Sequence, residues 1–99
     1  MRLYIVVSQA LSSGLRAAQA CHAIVAFGKE HPMISKDWYE NSNNVVILQD
    51  TDILRTADDL EAAGLHITRF HEPDLDNALT AICAEPAAKK ALSKHRLAA

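Results

Sequence analysis

The apolar run Leu3-Tyr4-Ile5-Val6-Val7 leads, after a short polar stretch, into Gly14-Leu15-Arg16-Ala17-Ala18-Gln19-Ala20-Cys21-His22-Ala23, and this succession narrows the possible folds more than any other feature of the chain. β-Branched and aromatic residues in a row, with no polar alternation, mark a strand buried on both faces, the habit of a central strand in a parallel or mixed sheet. The segment behind it reads as a helix from about Ser13 to Glu30, capped by Ser12 or Ser13 and stopped before Pro32. Its alanines require close neighbours, since short side chains bury area only where backbones approach. A sheet on one side and a second subunit on the other would meet that need, and Gly14 at the start would admit another backbone. Arg16, Gln19 and His22 interrupt the small residues at a regular three-residue spacing, so they share one face. That stripe either faces water, as any amphipathic surface helix requires, or lines a site.

The rest of the chain supplies fewer but clear signals. Met33 to Tyr39 reads as a short helix or turn with Trp38 and Tyr39 over the core, Asn41-Ser42-Asn43-Asn44 as a polar turn, and Val45-Val46-Ile47-Leu48 as a second buried strand. Asp50 or Thr51 is expected to cap a helix through about Ala63, with Ile53, Leu54, Ala57 and Leu60 on one face and Arg55, Asp58, Asp59 and Glu61 on the other, ended by Gly64. Leu65 to Phe70 is a third strand. The loop His71-Glu72-Pro73-Asp74-Leu75-Asp76-Asn77 is too short for a helical crossover, so a fourth strand, Ala78 to Cys83, should run antiparallel to the third or pair elsewhere by a tight connection. Pro86 opens a last helix to about Ser93, and the tail from His95 to Ala99 is expected to fray. The order β-α-(α)-β-α-β-β-α gives a single α/β domain over residues 1–99, three-layered, with a small mixed four-stranded sheet and helices on both faces.

Ten Lys and Arg against twelve Asp and Glu, a net charge of -2, is the wrong balance for clamping nucleic acid mainly through phosphates. A local basic patch remains open, from Arg16 and from the cluster Lys89, Lys90, Lys94, His95 and Arg96. Cys21 and Cys83 lack CxxC spacing, which fits two free thiols in a reducing compartment, with Cys21 in the core. No apolar run is long enough for a signal sequence or a membrane span, so a soluble cytoplasmic protein is expected.

Two places can carry chemistry. A helix directly behind a central strand puts its amino end at the carboxyl edge of the sheet, where its amides favour an anion; Ser13, Arg16, Gln19 and His22 belong to that end or to the stripe running from it. The loop with His71, Glu72, Asp74 and Asp76 offers imidazole and carboxylate together, suited to acid–base work or simply to a solvated turn. Thr80 can present a hydroxyl near the first helix, or can be there for strand propensity alone. A metal site from His66, His71 and nearby carboxylates lacks a recognised ligand spacing, Cys21 and His22 point apart on the helix, and there is no glycine-rich phosphate loop or GxSxG elbow.

The first strand followed by Gly14-Leu15-Arg16-Ala17-Ala18-Gln19-Ala20-Cys21-His22-Ala23 resembles the type 2 peptidyl-tRNA hydrolases, whose signature is a strand, then Gly-Lys-Ile/Leu-Ala-Ala-Gln, a Cys-containing pair and His-Ala. A looser likeness covers most of the chain, since the Trp38 region, the Val45 strand, the acidic helix ending at Gly64-Leu65 and the fourth strand come in the family's order. The resemblance implies a mixed four-stranded sheet between helices, commonly a homodimer, no cofactor, and hydrolysis of the ester joining a peptide to the terminal ribose of tRNA. Gly14, Ala17, Ala18, Gln19, His22 and Ala23 match the motif. Leu15 stands where the family has lysine, and Ala10-Leu11 where it has Asp-Leu. Arg16 is one position on, so its side chain is turned by about 100° from that lysine. The family's longer loop, with Asp-Ala-Gly, threonines and Pro-Gly, is here His71 to Asn77, with Asp74 and Thr80 nearest in type to its acting residues.

These readings together expect catalysis from His22, Asp74 and Thr80 and substrate binding by Ser13, Arg16, Gln19, His71 and Glu72, with no metal and no cofactor. The expected partners are tRNA or peptidyl-tRNA and a second copy of the chain, with no membrane. The alternative is a dimeric binding module that keeps the fold and has lost the reaction.

Overall fold

The central position of the first strand follows from its composition. In the computed structural model, which describes residues 1–98, β1 (Arg2–Ser8) sends Leu3, Ile5 and Val7 into one core and Tyr4 and Val6 into another, all five buried. It pairs in parallel with β2 (Asn44–Asp50), from Arg2 opposite Asn44 to Ser8 opposite Asp50, and antiparallel with β4 (Ala78–Ala84). β3 (Ile67–Glu72) runs antiparallel to β4 at one edge, and β5 (Arg96–Leu97) antiparallel to β2 at the other, giving the order β3-β4-β1-β2-β5.

The helices divide between the two faces. α1 (Ser13–Glu30) and α2 (Pro32–Asn41) connect β1 to β2 and cover Leu3, Ile5, Val7, Ala81 and Cys83 with Ala20, Ala23, Phe27 and Trp38. α3 (Ile53–Ala62) connects β2 to β3 on the other face, packing Ile53, Ala57 and Leu60 with Ala88 and Leu92 over Tyr4, Val6, Leu48, Ile82 and Ala84. Phe27 is the largest fully buried side chain, and truncating a buried phenylalanine to alanine costs about 3–5 kcal/mol. Close approach of α1 and α2 uses Gly28, where a Cβ would meet Ser35 Oγ at 3.3 Å.

Several expectations are corrected. The sheet has five strands, because the chain after Lys94 does not fray but adds Arg96–Leu97 to the open edge of β2; the part of that expectation falling on Ala99 lies outside the described residues. The helix expected after Pro86 is a 3-10 turn, Pro86–Lys89, followed by irregular turns that bury Ala88 and Leu92. Asp52, not Asp50 or Thr51, caps α3, its carboxylate accepting from the Arg55 amide at 3.2 Å, and Leu54 lies off the buried face at 55% exposure. Cys21 is exposed rather than in the core, Tyr39 is exposed where Trp38 is buried, and a Cβ on Gly14 would touch nothing within 4 Å, so no backbone approaches there. Helix α1 with its Ser12 cap, Gly64 as the left-handed stop at φ 81°, and the antiparallel β3–β4 hairpin are as the sequence reads.

Candidate active site

Helix α1 begins at the carboxyl edge of the sheet, and each polar residue of its stripe reaches a different strand. Ser12 accepts from the Leu15 amide at 3.4 Å, leaving the neighbouring first-turn amides and the exposed Ser13 hydroxyl at that edge. Arg16 folds back over the loop that joins β1 to the helix, donating through Nε to the Leu11 carbonyl and through Nη2 to the Gln9 carbonyl, both at 2.8 Å, and through Nη1 to Gln49 Oε1 on β2 at 3.4 Å. With Ser13, Ala17, Ile47 and Ala98 it lines a small groove of about 230 Å³.

Gln19 points to β4, where a backbone irregularity meets it. Phe70 stands opposite Ala81 but His71 opposite Leu79, so Thr80 is the extra residue of a β-bulge. Regular alternation with Ile82 and Ala84, which face α3, would send Thr80 to the wrong side of the sheet. The bulge turns it to α1, and its hydroxyl donates to Gln19 Oε1 at 2.7 Å. Both side chains are buried, at 2% and 3% exposure. The Gln19 amide nitrogen bonds to no described residue, yet it is not sealed off from solvent, because Thr68 Oγ1 is the one orphaned buried side-chain atom among the described residues. The Gln19 carboxamide is thus fixed by its oxygen with its two N–H donors free.

His22, one turn further, is exposed and stacks on Phe70 of β3 at 4.9 Å between ring centroids. The stripe therefore fans out. Gln19, His22 and Thr80 come together over the β3–β4 hairpin, whereas Arg16 turns away to β2. His71 and Glu72 continue β3 beyond Phe70, and Asp74 sits exposed in the 3-10 turn Pro73–Leu75, which ends in two left-handed residues, Asp76 and Asn77. None of these three side chains bonds to the α1 stripe among the described residues. His66 lies apart, beside His31 with ring centroids 5.3 Å distant, and among the described residues no group of three ligating side chains is placed to hold a metal.

A second polar cluster at the same edge escaped the sequence reading. Asp50, at the end of β2, accepts from the Asp52 amide at 2.8 Å, from Thr56 Oγ1, and from His95 Nε2 at 2.7 Å. Burial works against its charge, but the bonds from Thr56, Asp52 and His95 outweigh it and hold the carboxyl below the usual aspartate range. Asp50 read as a helix cap and His95 as a fraying tail, and only the pairing of β5 with β2 brings them together. Elsewhere the perturbed groups are structural. Burial pushes the Cys83 thiol up to about 12, too high for a nucleophile, and the bonds from Arg69 to Asp58 and then Glu61 raise the guanidinium further.

The arrangement offers a preset carboxamide donor, an exposed imidazole beside it and a helix amino end, the elements that stabilise and attack a polarised carbonyl without a covalent nucleophile. The sequence profile of the family described as peptidyl-tRNA hydrolase PTH2 matches residues 1–96. No curated protein matches the chain closely enough to compare. The profile spans both the α1 stripe and the Thr80 bulge, and the chain belongs to the PTH2 family of peptidyl-tRNA hydrolases.

Proposed function

We propose that this protein hydrolyses the ester joining a peptide to the terminal ribose of tRNA, and that the reaction takes place over Gln19, Thr80 and His22. Membership of the PTH2 family over residues 1–96 is the observation that carries this reading. The ester carbonyl lies against the free N–H donors of Gln19, held in place by the Thr80 hydroxyl. A water beside His22 attacks the carbonyl carbon as the imidazole takes its proton. The carbon–oxygen bond to the ribose then breaks, and the proton passes to the departing ribose oxygen, leaving a peptide carboxylic acid and a free tRNA end. Asp74, His71 and Glu72 border the β3 side of this place, with Asp74 orienting the water. Ser13 and the first-turn amides of α1 receive an anionic group of the tRNA terminus, and Arg16 keeps the loop beneath them in shape.

The test is release of diacetyl-lysine from diacetyl-lysyl-tRNA. Wild-type protein is expected to turn over, and His22→Ala to lose about 10²–10⁴-fold in kcat. No release above background at micromolar protein overturns the proposal. One observation favours the second reading, a binding module without turnover: the position of the family's lysine holds Leu15, an apolar side chain 45% exposed beside the site. Specific tRNA binding with no release would decide for it. The dimer expected of the family belongs to either reading, and light scattering tests it, a monomer at all concentrations counting against it. No helix among the described residues is long and apolar enough to cross a membrane.

A further inference from the structure

The connections leave β1 and β2, neighbouring parallel strands, toward opposite faces of the sheet: β1 toward α1, β2 toward α3. Their loops part, and the crevice beyond the carboxyl ends of two such strands is where α/β sheets hold ligands. Here it has walls. Gln9, Gln49, Asp50 and Thr51 line it together with Lys94, His95 and Arg96, in a cleft of about 470 Å³. Arg96 is held there by strand pairing, opposite Gln49, and His95 between the two cations anchors the segment by its bond to Asp50. Gln49 ties the cleft to the site, since its amide oxygen accepts from Arg16 and its nitrogen donates to the Leu97 carbonyl at 3.1 Å.

The distribution of charge along this edge names the ligand. Lys94 and Arg96 are exposed and form no ion pair among the described residues, unlike Arg55 with Asp59 and Arg69 with Asp58 and Glu61. From Pro86 to Ala98 there is no Asp or Glu, against Lys89, Lys90, Lys94 and Arg96. Asp50 keeps its charge, with its carboxylate on three donors, but Lys94 and Arg96 outnumber it in the lining of the cleft. At the far side of the sheet, beyond β3, the sign reverses: Glu72, Asp74 and Asp76 stand with no Lys or Arg between residues 70 and 88. A net charge of -2 thus hides an edge that is basic at β5 and acidic at β3, and the local field, not the total, steers a polyanion.

We propose that the crevice beyond β1 and β2 binds the phosphate backbone of the tRNA, with Lys94 and Arg96 on phosphates, so that the RNA lies over the β2–β5 side and the peptide extends toward β3. Arg96 grips a phosphate with its planar fork and Lys94 as a point charge, while Gln9, Gln49 and Thr51 suit ribose hydroxyls. The assignment rests on the peptidyl-tRNA reading and deepens it.

The experiment measures the affinity of the full chain for deacylated tRNA over a range of salt, beside turnover of diacetyl-lysyl-tRNA. Lys94→Gln with Arg96→Gln should weaken binding and lower the slope of log affinity against log salt by about 1 for each cation removed, with a raised KM and kcat retained. Lys29→Gln with Lys36→Gln removes the same charge from α1's carboxyl end and α2, and should leave the slope unchanged. An unaltered slope in the first pair, or the same loss in both pairs, overturns the proposal while leaving the hydrolase reading standing if wild type turns over. Wild type that neither binds tRNA nor releases product overturns both.

Discussion

The contact between Thr80 and Gln19 makes a demanding test of how the site is built. Thr80→Val keeps the side-chain shape and removes the hydroxyl that donates to Gln19 Oε1 at 2.7 Å. Both residues are at most 3% exposed, so the Gln19 oxygen loses its one donor among the described residues at a buried position, and an orphaned buried acceptor costs about 1–3 kcal/mol. Gln19→Met, similar in volume, orphans the Thr80 hydroxyl instead and carries a similar cost. With both replaced, no polar atom is left stranded, and the pair approaches neutrality. The double mutant should therefore be less destabilised than the sum of the singles, with a coupling of about 0.5–3 kcal/mol. Urea unfolding measures this at a constant m-value, and thermal unfolding reads it at roughly 4–8 °C per kcal/mol for a domain of this size. Because Thr80 fixes the carboxamide that we propose faces the ester, Thr80→Val should also lower kcat beyond any loss of folded protein. Additive singles, or a Thr80→Val variant as stable as wild type, would refute the claim that the bulge locks Gln19.

Further expectations follow from single side chains. Thr68 Oγ1 is buried at 2% exposure with no partner, so Thr68→Val should stabilise the fold by about 1–3 kcal/mol, and a loss of stability in urea would show that the hydroxyl is bonded. Asp50 titrates below its usual value of 3.8, so its contribution is fully present above that value and is lost as pH falls through the lower folded value; the stability gap between wild type and Asp50→Asn should close on acidification, and a gap that widens would reverse the sign. Leu15→Lys restores the cation of the family signature at a half-exposed position. It should raise kcat/KM on peptidyl-tRNA while costing about 0.3–1 kcal/mol against the helix dipole, and unchanged turnover would show that this charge does not limit the reaction.

What the sequence revealed is what local rules govern. β1 declared itself because five consecutive apolar residues leave no solvent face, and α1 because Ser12, a small-residue body and Pro32 mark its start, middle and end. The hairpin after β3 followed from the length of its loop. The Thr80 bulge was not legible, because nothing in Ala78-Leu79-Thr80-Ala81 distinguishes a shifted register from a regular one; the shift is set by the partner strand and by the helix above. Nor was β5, since two residues carry no periodicity and their pairing is decided by the open edge of β2. The stripe of Arg16, Gln19 and His22 shows the limit most plainly: spacing placed the three on one face, but side chains on one face of a helix lying across a sheet meet different strands.

That divergence gives the site its polarity. Had Arg16 pointed with Gln19 toward β4, its charge would sit beside Glu72 and Asp74, and the edge would be electrically mixed. Instead Arg16 is drawn to β2 by the Gln9 and Leu11 carbonyls and by Gln49, on the side where β5 delivers Lys94 and Arg96. The cations gather on one flank and the acids on the other, with Gln19, Thr80 and His22 between. An ester linking a polyanion to a peptide is itself asymmetric in charge, and it can lie across this edge in only one direction without bringing phosphates against carboxylates. On the proposed function, the orientation of the substrate follows from two backbone events, the bulge that aims Thr80 at α1 and the short strand that brings the basic tail to β2.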